Sequence, residues 1–188
     1  MSDWQLIISE YIFQDLWSYI ALSKDREVGG LGHVERVGPT NKLILYKLVL
    51  LPRRTGPGWV DPAVEEYARY VSSIPDSEVT TLRFYWHSHP IGSSGPYPSP
   101  QDEASIADLT MGHGWLVWMI LTPEGQEQAA LEIASTDGNR WRIPLSVVVK
   151  PRQVEIFTEL NKKIMEPATM YARCRSSTLL RKGGGRIW

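Results

Sequence analysis

The sequence predicts an α/β fold in which helices flank a mixed β-sheet. Segments with apolar residues at helical spacing alternate along the chain with short apolar runs that are bounded by glycine and proline. The apolar runs are rich in Val, Ile, Leu and Trp, which suits strands that are buried inside a sheet. Helices and strands that alternate in this way form a layered sandwich, and we expect about five or six strands.

The first half of the chain contributes two predicted helices and one predicted strand. Residues 4–23 carry apolar side chains at spacings of three and four, which predicts an amphipathic helix. The segment Glu27-Val-Gly-Gly-Leu-Gly follows, and its glycines let the backbone pass close to a neighbour. Residues 43–51 form a predicted buried strand, residues 52–62 a loop rich in proline and glycine, and residues 63–73 a second helix.

The second half begins with a predicted strand over residues 79–87. Residues 90–100 contain four Pro, two Gly and three Ser, which predicts a loop. Ser99 has the residue type of a helix cap and Pro100 suits the first turn, so a helix is predicted from there to residue 111. Three further strands and a closing helix are predicted over residues 115–121, 129–135, 141–149 and 151–165.

Composition indicates one globular domain with a basic tail. The 188 residues are 43% hydrophobic and 22% charged, which is enough for one sizeable core over residues 1–172. The net charge of -1 shows no basic excess, so we expect no nucleic-acid partner. The tail, residues 173–188, carries five basic residues and no acid. We interpret it as a solvated extension, with binding of an acidic partner as the alternative.

Cysteine content and hydropathy limit the class of protein further. Cys174 is the one cysteine, which excludes an internal disulfide and any zinc site built from two or more thiolates. The N-terminal segment does not resemble a secretory signal, and the longest apolar run, residues 115–121, is too short to span a bilayer. We therefore expect a cytoplasmic protein with no membrane partner, and the sequence leaves a homo-oligomer open.

The spacing of two histidines and one aspartate predicts a metal site. His87 and His89 are two residues apart, and side chains at that spacing project from the same face of a strand. Asp102 follows the proline-rich loop, three residues into the predicted helix start, and offers an oxygen ligand. Three protein ligands with the fourth position left to water are typical of catalytic zinc, which lowers the pKa of that water to about 7. We predict one Zn²⁺ per chain.

These residues resemble those of a known family. His-Ser-His-Pro at residue 87, Ser-x-x-Asp at residue 99 and Glu-x-Gly-Gly-Leu at residue 27 are similar to the motifs of the JAMM (MPN-plus, Mov34/JAB) zinc metalloproteases. The resemblance covers about residues 1–150 and implies the MPN sandwich, which is related to the cytidine-deaminase fold. It further implies zinc held by His87, His89 and Asp102, with Glu27 as the general base and Ser99 donating a hydrogen bond to the oxyanion. A carboxylate and a hydroxyl suit those roles.

The resemblance also implies an activity. Enzymes of this type hydrolyse isopeptide or peptide bonds, most typically to remove ubiquitin or a ubiquitin-like protein from a conjugate. In prokaryotic and phage relatives the substrate can be another peptide. A metal-free or inactive MPN scaffold that binds protein partners remains the alternative. A zinc nucleobase deaminase requires a Pro-Cys-x-x-Cys motif, which the single cysteine excludes.

Several residues near the motifs have more than one interpretation. Asp25 and Glu35 are lesser candidates for the general base, and Ser99 suits a helix cap as well as an oxyanion donor. The nine-residue segment 90–98 is two residues longer than the spacing usual in that family, and the extra residues can bulge outward without moving the ends of the loop. We favour an interpretation in which this longer loop shapes the substrate groove. Tyr97 in this segment and Trp59 in the earlier loop are predicted to contact substrate. His33 and His113 are expected to lie outside the site.

Overall fold

An eight-stranded mixed sheet with helices on both faces forms the centre of the protein. The computed structural model describes residues 3–23, 26–50, 53–56, 59–62 and 64–151. Most of the predicted closing helix and the whole basic tail lie outside the described residues. No helix within the described ranges combines the length and apolar character needed to cross a bilayer.

The described residues form ten strands and four helices. Strands occupy β1 (Gln5–Ser9), β2 (Gly29–Arg36), β3 (Lys42–Val49), β4 (Arg53–Gly56), β5 (Trp59–Pro62), β6 (Leu82–Ser88), β7 (Trp115–Leu121), β8 (Glu127–Ala134), β9 (Arg140–Pro144) and β10 (Ser146–Lys150). Helices occupy α1 (Glu10–Ser23), α2 (Val64–Ser73), α3 (Asp76–Val79) and α4 (Pro100–His113).

The sheet has the strand order β10-β1-β3-β2-β6-β7-β8-β9. β1 runs parallel to both of its neighbours, and β6 runs parallel to β7, whereas the other pairs are antiparallel. β9 and β10 lie at opposite ends of this order although only Leu145 separates them in sequence. The chain therefore passes directly from one edge to the other, and the sheet is nearly closed. The predicted α/β class with a mixed sheet is confirmed. The expected number of five or six strands is wrong, because residues 5–9 and 29–36 also form strands of this sheet and residues 141–149 contribute two.

Each face of the sheet is covered by its own helices. The buried side chains of α1 pack with Trp86 and other side chains from one face. Ile106 of α4 packs with Tyr85 and Trp118 on the opposite face, where Tyr67 and Tyr70 of α2 also lie. Side chains alternate along β6, so Trp86 and His87 project to opposite sides. The site is therefore built on the α4 side of the sheet.

Three local predictions are wrong. The helix predicted over residues 4–23 begins only at Glu10, because residues 5–9 form β1. Leu6 and Ile8 alternate inward there and are fully buried between β3 and β10. The loop predicted over residues 52–62 contains the hairpin of β4 and β5. The strand predicted over residues 141–149 is divided at Leu145, so that its halves pair with β8 and β1.

Candidate metal centre

Two histidines and one aspartate lie close together where β6 ends and α4 begins. The ligand atoms of His87, His89 and Asp102 are all within 4.8 Å of one another. Nε2 of His87 is 3.1 Å from Oδ1 of Asp102, and Nε2 of His89 is 3.3 Å from Oδ2. None of the three residues is more than 9% exposed. The structure thus brings together the three side chains that the sequence predicts as metal ligands.

The central position of β6 places the two histidines. All seven residues of β6 are buried, because the strand lies between β2 and β7 in the middle of the sheet. The backbone N–H of His89 donates to the carbonyl of Leu121 at 2.8 Å, which keeps the chain extended one residue beyond β6. Both imidazoles therefore share one face, and their ring centroids are 5.0 Å apart.

The start of α4 places the aspartate. Ser99 caps the helix, and its Oγ accepts from the backbone N–H of Asp102 at 3.2 Å. In return, Oδ2 of Asp102 accepts from the backbone N–H of Ser99 at 2.7 Å. This reciprocal capping box confirms the predicted helix start and fixes the Asp102 rotamer. The same contacts turn the carboxylate towards the histidines.

The geometry of this cluster fits a zinc ion. Ligand atoms at tetrahedral angles about 2.0–2.1 Å from zinc lie roughly 3.3 Å from one another. Nε2 of His87 lies 3.1 Å from Oδ1 of Asp102 and Nε2 of His89 lies 3.3 Å from Oδ2, so each nitrogen is at about that separation from a different carboxylate oxygen. Both ring nitrogens of His87 are buried without a hydrogen-bond partner, although Nε2 is close to Asp102. A buried nitrogen of this kind is costly unless it has a ligand, and a metal is one that suits imidazole.

The electrostatics of the cluster also favour a cation. Burial alone would raise the pKa of Asp102, but contacts with His87 and His89 and the N–H of Ser99 hold it well below its usual range. The hydrogen bond to Asp102 raises the pKa of His89, against the opposing effect of burial. Asp102 is therefore ionised at neutral pH and presents a fixed negative charge to the two imidazoles.

Glu27 lies beside this cluster on the segment that leads into β2. It is 8% exposed, and burial raises the pKa of its carboxyl, with His87 and His89 opposing and Asp102 adding to the rise. Ser88 holds this segment in place: its Oγ accepts from the N–H of Val28 at 3.1 Å, and its own N–H donates to the Val28 carbonyl at 2.6 Å. The serine between the two histidines therefore ties Glu27 to the metal ligands.

The two lesser candidates for the base stand apart from this arrangement. Glu35 lies on β2 six residues beyond Gly29, which pairs with His87. At 3.3 Å per residue the separation along the strand is about 20 Å, so Glu35 is too far from the histidines to act there. Asp25 lies outside the described residues.

The long loop after His89 takes part in the site. Nδ1 of His89 donates to the backbone carbonyl of Gly95 at 2.8 Å, which leaves Nε2 of the same ring to face Asp102. Gly95 is buried and has φ +101°, a conformation that favours glycine. The loop therefore supplies a backbone partner to a predicted metal ligand. Partners of this kind orient a metal-binding histidine and fix its tautomer.

The remaining predicted site residues lie around the cluster. Ser99 is partly buried at the helix cap, and because its Oγ accepts from Asp102, its own O–H remains able to donate elsewhere. Tyr97 is 64% exposed, two residues before this cap. Trp59 lies on β5, and its side chain is outside the described part of the structure. Ser88 and Gly95 support the site but were not predicted, and their only sequence signals are the His-Ser-His motif and a glycine in the loop.

The other two histidines lie outside the cluster, as expected. His33 is fully buried on β2, where its ring nitrogens contact Thr81 at 2.9 Å and Tyr70 at 2.7 Å. His113 ends α4, and its Nδ1 accepts from Arg83. Burial and the Arg83 charge lower the pKa of His113 to about 4. Both histidines serve the packing of helices on the sheet.

Comparison with known proteins shows the fold alone. No protein-family model matches the chain, and no curated protein matches it. The solution structure of protein DSY2949 from Desulfitobacterium hafniense is similar, with a TM-score of 0.54 and 15% sequence identity. The match covers 80% of this chain and 97% of that one. At this identity the likeness extends to the arrangement of strands and helices and to nothing chemical.

Replacing Gly95 tests the support that the loop gives to His89. We expect Gly95→Ala to weaken zinc binding by about tenfold, because a side chain disfavours φ +101° and turns the carbonyl away from Nδ1. Gly92→Ala is the matched control, since Gly92 also has positive φ and an added Cβ there meets nothing within 4 Å. Chelator competition measures both affinities, and equal values for the two variants would contradict the role of Gly95.

Acid should destabilise the fold partly through His113. Its folded-state pKa, about 4, is below the value near 6.5 of an unfolded histidine, so the unfolded chain binds more protons between these values. Stability attributable to this group is therefore present above about pH 6.5 and is lost as the pH falls towards 4. His113→Asn keeps an acceptor for Arg83 and removes the titration. Its melting temperature, measured with chelator present, should fall less than that of the wild type between about pH 7 and 4.5. An identical fall would show that His113 does not contribute.

Proposed function

We propose that this protein is a zinc-dependent hydrolase of the JAMM (MPN-plus) type that cleaves isopeptide or peptide bonds, with a conjugate of ubiquitin or a ubiquitin-like protein as its substrate. One observation carries the proposal. Three side chains suited to zinc lie within 4.8 Å of one another beside a buried glutamate whose pKa is raised. The nearly closed sheet with helices on both faces is compatible with the MPN fold.

The residues divide the chemistry between them. His87, His89 and Asp102 would hold the zinc ion, which would supply a Lewis acid for the scissile carbonyl and for the attacking water. Glu27 accepts a proton from the attacking water. Burial raises the pKa of its carboxyl towards neutral pH, which makes the carboxylate a better base.

The hydrolysis needs no reactant other than water and the substrate. The oxygen of water forms a bond to the carbonyl carbon, and the carbon–nitrogen bond then breaks. Glu27 passes the proton that it accepted to the departing amine, which regenerates the carboxylate. The O–H of Ser99, whose oxygen already accepts from Asp102, donates to the carbonyl oxygen as negative charge develops there.

Exposed apolar side chains beside the cluster offer a surface for the substrate. Ile91 and Tyr97 lie on the loop between His89 and Ser99 and are 68% and 64% exposed. The Gly95 carbonyl of the same loop accepts from Nδ1 of His89, and a Cβ added at Gly95 would lie 3.5 Å from the ring of Tyr97. A peptide bound at the cluster would therefore lie near this loop, and loops beside a rigid site commonly set specificity.

The purified protein should contain about one zinc per chain, and the combined variant His87→Ala/His89→Ala should contain almost none, because one carboxylate cannot hold the ion. Elemental analysis after dialysis measures this. His113→Asn is the control and should retain full zinc, since His113 lies at the far end of α4. Zinc that persists in the double variant would place the metal elsewhere.

Glu27→Gln should keep the zinc and lose at least about 100-fold in kcat, because an amide of the same shape cannot accept a proton. Glu35→Gln is the matched control: this glutamate is partly buried and also has a raised pKa, but it lies at the other end of β2. A panel of linear and isopeptide-linked ubiquitin-like conjugates, with and without chelator, supplies the substrates. Full activity in Glu27→Gln would remove this residue from the mechanism. A zinc-loaded wild type that cleaves no conjugate would favour the scaffold alternative.

A further inference from the structure

A charged network at the edge of the sheet reaches the first turn of α4, next to the metal site. Arg142 on β9 lies directly opposite Glu132 on β8. Its Nε donates to Oε1 of Glu132. Its two terminal nitrogens donate to the two carboxylate oxygens of Glu103 at 2.8 and 2.7 Å. One guanidinium thus joins a strand residue to a helix residue through a two-pronged contact.

The strand end of this network is firmly anchored. Glu132 is 2% exposed, and it also accepts from Nε1 of Trp118 on β7 at 3.2 Å. The guanidinium carbon of Arg142 lies 5.0 Å from the centre of the Trp118 ring, within range of a cation–π contact. A buried carboxylate with these partners cannot move without losing them. The position of Arg142 is therefore set by two neighbouring strands.

The helix end of the network adjoins a metal ligand. Glu103 directly follows Asp102 in the first turn of α4. The hydrogen bonds from Arg142 hold the pKa of the Glu103 carboxyl below its ordinary value, so both groups are charged at neutral pH. The capping box fixes Asp102 relative to its own helix, whereas the contact between Arg142 and Glu103 fixes that first turn relative to the sheet. His87 and His89 are carried by the sheet.

We propose that Arg142 is a positioning residue, which holds the first turn of α4 on the sheet so that Asp102 meets His87 and His89 at metal-binding distance. This inference rests on the metal centre of the proposed function. Arginine suits the role because its planar fork meets both oxygens of Glu103 while Nε remains on Glu132, an arrangement that lysine cannot reproduce.

Arg142→Lys tests the proposal because it keeps the charge and removes the fork. We expect zinc affinity, measured by chelator competition, to fall by about tenfold. The absorption spectrum of the Co²⁺-loaded protein should change as well, because the ligands are displaced. The control is Arg69→Lys, which alters an exposed ion pair with Glu66 on α2 and should change neither measurement. Thermal unfolding of the metal-free proteins confirms that both variants are folded.

A second variant keeps the test decisive if Arg142→Lys is unfolded. Glu103→Gln leaves the contact of Arg142 with Glu132 intact and should also weaken zinc binding. Asp108→Asn, on the same helix, is the control because it also removes one negative charge. Zinc affinity and a Co²⁺ spectrum equal to those of the wild type in the folded Arg142 or Glu103 variant would overturn the positioning role. A wild type that binds no zinc would instead overturn the metal centre itself, so the two failures are distinguishable.

Discussion

The close approach of β2 to β6 is the constraint on which the candidate site depends. Gly30 pairs with Trp86, and a Cβ at residue 30 would lie 2.2 Å from Nε1 of that indole. With no side chain there, the fully buried Trp86 fills the α1 side of the sheet while β2 stays paired along β6. The pairing continues into the exchange between Val28 and Ser88, which brings Glu27 to the histidines. Gly30 is therefore required for the packing of Trp86, and through the pairing of β2 with β6 it also helps to place Glu27.

Local patterns predicted the centre of the site, because the relevant distances are short along the chain. His87 and His89 lie on the same face because of strand geometry. Asp102 follows a helix start that the residue types of Ser99 and Pro100 predict. The contacts that support these ligands could not be predicted in the same way. The acceptor for His89 is a backbone carbonyl, which every residue carries, so the sequence does not mark it. Arg142 contacts Glu103 from 39 residues away in the chain, and no local pattern links the two.

The errors in the fold have a similar origin. The apolar residues in 4–8 fit the spacing of a helix, and Leu6 and Ile8 also fit the alternation of a strand. The strand forms because β1 pairs with two strands that are distant in sequence. Residues 141–149 are continuous in pattern, yet Leu145 is the point where the chain leaves one edge of the sheet for the other. Such choices depend on tertiary partners that a single sequence does not display. The overall α/β class was predictable because it depends only on the alternation of elements.

The charges of the buried side chains in the cluster favour a bound cation. Glu27 and Asp102 are both buried, and the negative charge of Asp102 raises the pKa of Glu27. Among the described residues, the other charges that act on Glu27 come from His87 and His89, and no lysine or arginine is one of them. Two carboxylates in a buried space are costly unless protons or a cation offset their charge. A divalent ion between the imidazoles and Asp102 would do so, and would leave Glu27 as the carboxylate free to accept a proton. The same ion would bind Nε2 of His87, which is buried and lies 3.1 Å from Oδ1 of Asp102. One metal would therefore offset the charge of the cluster and supply a ligand to this nitrogen.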